Sequence, residues 1–134
     1  MANLLILDSQ PVMRVGIKLL ISTRFPGWTV YQFKTASDFF ASKLKVVPEM
    51  IVLGIDMENE NTDLREVSKI RTRLDHSALV ICGAHLPCRK VDLMFKSGIF
   101  GYISRKSTEK EFIKCFDTVS MGRKYCDLDD IKPI

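Results

Sequence analysis

Apolar residues in this chain come in short runs separated by helical patterns. Leu4-Leu5-Ile6-Leu7 is a continuous apolar run, the pattern of a strand buried on both faces. It ends at Asp8-Ser9, and Pro11 suits the first turn of a helix. Val12, Val15, Gly16, Leu19 and Leu20 follow at helical spacing, and Phe25-Pro26-Gly27 breaks the pattern. Trp28 to Phe33 is rich in strand formers. Thr35 or Ser37 can cap a second helix running to about Lys45. Met50 to Leu53 predicts a third strand, Asp56 to Asn61 a polar loop, and Leu64, Val67, Ile70 and Leu74 a third helix. Ala78 to Cys82 predicts a fourth strand. Val91, Met94 and Phe95 mark a fourth helix ended by Gly98. Ile99 to Ser104 predicts a fifth strand. Ser107 or Thr108 can cap a last helix, and Thr108 with Glu111 fits a capping box. Its buried stripe is Phe112, Cys115, Phe116 and Val119, and Gly122 closes it.

Five β/α units in order demand a parallel sheet covered by helices on both faces, with right-handed crossovers. The pattern fills residues 1–125 and leaves 126–134 as a tail or the start of a linker. A length of 134 residues suits one domain with a single core. No apolar run approaches the roughly 20 residues of a membrane span. The N-terminal segment lacks a basic n-region and reads as a strand rather than a signal peptide.

Charge and cysteines refine the picture only slightly. Nine basic residues between Arg89 and Lys124 face four acidic ones, a net +5 for that stretch against +4 for the whole chain. This is a solvated face or a docking face for an acidic partner or nucleic acid. Cys82, Cys88, Cys115 and Cys126 form no C-x-x-C pair, and His76 and His85 lack zinc-finger spacing. The pattern fits reduced thiols in a cytoplasmic protein. Phosphate-binding loops, metalloprotease helices and nucleophile elbows are all absent from the sequence, and His85 has no nucleophile near it in the chain.

Three stretches carry a family resemblance: Ile6-Leu7-Asp8-Ser9-Gln10-Pro11-Val12-Met13-Arg14-Val15-Gly16, Ser97-Gly98-Ile99-Phe100-Gly101-Tyr102-Ile103, and Met121-Gly122-Arg123-Lys124-Tyr125. In order and spacing they resemble receiver domains of bacterial response regulators, closest to the branch that precedes a helix-turn-helix domain of the LuxR/NarL type. The resemblance spans about Leu4 to Tyr125. It implies a flavodoxin-like (CheY-like) three-layer α/β sandwich with a five-stranded parallel sheet of order 2-1-3-4-5. It also implies a role in two-component signalling and transcription regulation.

The same resemblance implies what each strand end should hold. Two acids after the first strand and an acceptor aspartate after the third would hold Mg²⁺ through hard oxygen ligands. The acceptor carboxylate would be the nucleophile. A hydroxyl after the fourth strand and a lysine after the fifth would bind the phosphoryl oxygens. In this chain Asp8 keeps the first acid, while Ser9 replaces the second. Gly54 replaces the acceptor, Gly83 the hydroxyl residue and Arg105 the lysine. Tyr102 retains the position of the switch aromatic.

The implied protein is a pseudo-receiver: not an enzyme, with Mg²⁺ binding weak or lost, acting by protein contacts. A homodimer is expected, on the fourth helix, fifth strand and fifth helix or on the first and fifth helices. DNA contact would belong to a domain outside this chain. Asp8 reads as a relic, an acceptor at the start of the first helix, or an ion-pair partner of Arg105. Tyr102 reads as a half-buried strand residue or as a ring held inward beside Gly83. Asp56 is a substitute acceptor to weigh, although Pro48 and Met57 keep the family spacing to position 54. A stand-alone adaptor and a small-ligand binder using the crevice at the strand ends are the other readings.

Overall fold

A computed structural model describes the backbone of residues 2–55 and 60–131, and the side chains of those residues other than 60–62. Strands β1 (Asn3–Leu7), β2 (Thr29–Phe33), β3 (Met50–Gly54), β4 (Ala78–Gly83) and β5 (Gly101–Ser104) alternate with helices. The helices are α1 (Pro11–Arg24), α2 (Ala36–Ala41), α3 (Glu60–Arg73), α4 (Cys88–Lys96) and α5 (Glu109–Ser120). The sheet is parallel throughout, in the order β2-β1-β3-β4-β5-β6. It therefore has six strands, not the five expected from the pattern. The added strand, β6 (Tyr125–Cys126), is too short to show a period of two, so it left no signal in the sequence.

Strand alternation divides the core into two layers. Leu4 and Ile6 pack with Ile17 and Ile21 of α1 and with Phe112, Cys115, Phe116 and Val119 of α5. Leu5 and Leu7 point the other way, toward Phe39 of α2, Val67 and Ile70 of α3, and Val91 and Met94 of α4. The α5 stripe is thus the expected one.

The face of α1 is not. Val12, Val15 and Leu19 are 82%, 62% and 66% exposed, and the helix buries Ile17 and Ile21 instead. Two apolar stripes share this helix, and periodicity cannot say which one meets the sheet.

The caps follow local chemistry. Thr35, not Ser37, caps α2 by accepting from the Asp38 N–H at 3.0 Å. That helix stops at Ala41, short of Lys45. Thr108 and Glu111 form the reciprocal capping box of α5. Gly98 and Gly122, at φ +104° and +78°, end α4 and α5 in the left-handed region that glycine enters freely.

Candidate functional site

In a parallel sheet every strand ends on the same side, so residues far apart in sequence meet there. Leu7 pairs with Leu53, Gly54 with Cys82 and Gly83 with Ser104. This register sets Asp8, Gly54, Gly83 and Arg105 side by side along one edge. Ser9 follows Asp8 and is exposed. Asp56 lies outside the described residues.

Asp8 is buried, with 1% of its surface exposed. Its Oδ2 accepts from Arg105 Nη1 at 2.8 Å, and its Oδ1 accepts from the Gln10 N–H at 2.9 Å. The Arg105 side chain is itself nearly buried, at 10% exposure. Of the roles open to Asp8 in the sequence, the structure assigns two together. The carboxylate pairs with Arg105, and it also receives a backbone N–H at the start of α1. The carbonyl of Asp8 accepts from Arg14 Nη1 at 2.6 Å, which fixes the same corner from the helix side.

Gly54 is half-buried at the end of β3. A Cβ built on it would overlap the Asp8 carboxyl group and stand 2.7 Å from Arg105 Nη2. The ion pair therefore fills the volume into which a side chain at position 54 would project. Glycine is needed here for close approach, not for an unusual backbone angle.

Gly83 tells a similar story one strand further on. A Cβ there would lie 3.0 Å from Leu86 Cδ1 and 3.1 Å from Tyr102 Cε1. The Tyr102 ring thus sits inward against Gly83 and is fully buried. Its hydroxyl donates to Asp130 Oδ2 at 2.7 Å and accepts from the Leu86 N–H at 3.2 Å. Burial pushes the phenol well above its ordinary range.

Two residues of this neighbourhood escaped sequence reasoning. Asp130 ends a 3-10 turn (Leu128–Asp130) in the segment expected to be a tail. Besides Tyr102, its Oδ2 accepts from the His85 N–H at 2.8 Å. His85 Nδ1 lies 3.1 Å from the Asp130 carbonyl, and His85 has φ +50°, in the left-handed region where few side chains sit. The acid run Asp127, Asp129, Asp130 was the available signal, but an acidic tail has many solvated readings.

A second buried ion pair, Lys90 Nζ to Asp63 Oδ2 at 2.7 Å, ties the first turn of α4 to that of α3. No group of three or more metal-ligating side chains occurs among the described residues. None of the described helices is long and apolar enough to cross a membrane.

None of the known family profiles matches the chain. Among curated proteins it is similar to the oxygen regulatory protein NreC of Staphylococcus epidermidis, at 23% identity over 126 residues. That match covers 94% of this chain and 58% of the relative, so the chain spans less than two thirds of the relative's length. Among solved structures it is similar to a LuxR family DNA-binding response regulator from Silicibacter pomeroyi. The TM-score is 0.84 at 17% identity, covering 96% of this chain and 99% of that one. It is also similar to the isolated REC domain of RcsB from Salmonella enterica serovar Typhimurium in the presence of phosphomimetic BeF3-. Here the TM-score is 0.80 at 12% identity, covering 98% and 99% of the two chains. At these identities the likeness shows a shared fold.

Proposed function

We propose that this chain is a response-regulator receiver domain of the LuxR/NarL type whose phosphoryl site is closed by its own ion pair. The reading rests on the receiver fold shared with the proteins above and, above all, on one observation. Asp8 and Arg105 occupy the space that an acceptor side chain at Gly54 would need. Aspartyl phosphate chemistry requires a carboxylate nucleophile facing a cation-lined pocket. Position 54 offers a hydrogen atom instead, and position 83 offers no hydroxyl.

The donors present do not suit Mg²⁺. Both oxygens of Asp8 are engaged, one by a guanidinium that would repel a divalent cation, and hard octahedral ligation needs several free oxygens.

The domain then acts by contact rather than by catalysis. Helix α1 packs beside α5 and exposes Val12, Val15 and Leu19, and Met121, just past the end of α5, is 71% exposed. That apolar surface favours the α1–α5 face for a homodimer over the face built on α4, β5 and α5. DNA contact belongs to a helix-turn-helix domain outside this chain, and signalling to a change of partner or abundance in a cytoplasmic setting.

The test is direct. The protein is incubated with acetyl phosphate, or with beryllofluoride, and Mg²⁺, then read by intact mass and by amide NMR shifts. No adduct and no shift at residues 8, 54 and 105 are expected. A stoichiometric phosphoryl adduct, on Asp56 or elsewhere, would overturn the proposal.

A further inference from the structure

The segment after α5 folds back rather than running away from the domain. The Tyr125 N–H donates to the Phe100 carbonyl at 2.9 Å, and the Asp127 N–H to the Tyr102 carbonyl at 2.9 Å. These bonds extend the sheet past β5 and bring the following turn over the end of β4. There a single oxygen, Asp130 Oδ2, takes two donors: the Tyr102 hydroxyl and the His85 N–H. The segment therefore holds both the inward ring and the loop that leads into α4.

We propose that Tyr125–Ile131 is an intramolecular latch that couples the inward position of Tyr102 to the docking of the chain's C-terminal segment. Three observations carry it. First, the Tyr102 hydroxyl is buried, and a buried hydroxyl that loses its acceptor is strongly disfavoured, so the ring and Asp130 must move together. Second, His85 holds a left-handed backbone angle, a conformation that persists only where surrounding bonds determine it, and Asp130 supplies those bonds at both its carboxylate and its carbonyl. Third, β6 has only two residues paired to the sheet, and Tyr125, Cys126 and Ile131 pack only partly buried against the core, so the segment is held mainly at its ends. A further polar contact joins Ser107 Oγ to Asp127 Oδ2 at 3.4 Å.

The coupling is reciprocal. A partner that seizes the segment takes away the acceptor that keeps the ring beside Gly83. A ring that swings outward removes the donor that seats Asp130. Release also uncovers the edge of β5, whose main-chain groups would then be open to another strand. This inference goes beyond the closed phosphoryl site and does not depend on it.

Hydrogen exchange of the full chain, with no phosphoryl donor present, tests it. In Asp130→Ala the Leu86 amide, which donates to the Tyr102 hydroxyl, should exchange at least tenfold faster. The amides of β1 and β3 should be unchanged, and Asp130→Asn should restore most of the protection, because its amide oxygen can accept from the same two donors. In the reverse direction, Tyr102→Phe should speed exchange at the Asp127 amide at least tenfold. Changes below twofold at Leu86 in Asp130→Ala, or at Asp127 in Tyr102→Phe, would overturn the latch. Either result leaves the phosphoryl-transfer outcome untouched, so the two proposals fail separately.

Discussion

Replacing Gly54 by alanine adds one methyl group at the most crowded point of the strand-end edge. That methyl would overlap the carboxyl group of Asp8 and approach Arg105 Nη2 to 2.7 Å. The guanidinium could swing aside, being the far end of a long side chain. The carboxyl group cannot, because it hangs from the end of β1 by one methylene and its other oxygen is held by Gln10 N–H. If both side chains shifted with the pair intact, ordinary overpacking would cost ~1–3 kcal/mol. Separating the pair instead leaves a charge buried away from its partner, at ~3–5 kcal/mol. Overlap with the carboxyl group itself favours the larger figure. For a domain of this size that corresponds to a melting temperature lower by roughly 10–20 °C. Urea unfolding followed by circular dichroism and by Trp28 fluorescence measures it, with the midpoint falling and the slope unchanged. Exchange of the two side chains is the sharper form of the same test. Asp8→Gly with Gly54→Asp moves the carboxylate to the neighbouring strand, still beside Arg105. The double variant should be more stable than the sum of the two single losses implies, by on the order of 1–3 kcal/mol of coupling. A Gly54→Ala loss under ~0.5 kcal/mol, or strict additivity in the double variant, would refute the idea that the ion pair fills this space.

Two further outcomes follow from the cap of α5 and from the cysteines. Thr108→Ala should cost about 1 kcal/mol. Hydrogen bonds from the Thr108 backbone and then its side chain hold the Glu111 carboxyl below its ordinary value of 4.5. The folded state thus favours the ionised form, and that contribution is complete above about pH 4.5 and fades as the pH falls through the lower folded value. The gap in melting temperature between wild type and Glu111→Ala, which removes that carboxylate, should therefore narrow in acid, and a constant gap from about pH 7 to pH 3 would contradict the capping-box account. For the thiols, burial pushes Cys82 up to about 12 and raises Cys115 as well, so neither should react with iodoacetamide in the native protein near neutral pH. Half-buried Cys88 and Cys126 should label, Cys126 slowly because burial raises its thiol too. Peptide mapping that found Cys82 or Cys115 modified before unfolding would show the core to be looser than described.

The sequence by itself determined the layered order of elements, because runs such as Leu4–Leu7 and stripes such as Phe112–Val119 carry their period locally. It also determined which side chains stand at the strand ends, since parallel topology brings those ends together whatever the loops do. The glycine at the end of the third strand was therefore legible, and so was the pairing of Asp8 with Arg105 as one of several roles. Tertiary structure alone decided the rest. It chose Ile17 and Ile21 over Val12, Val15 and Leu19 as the buried face of α1, a choice between two stripes of equal period. It also turned a short polar tail into β6 and set Asp130 on Tyr102 and His85, 28 and 45 residues away. Such contacts depend on where two distant pieces of backbone arrive in space, and no local pattern of apolar and polar residues encodes that.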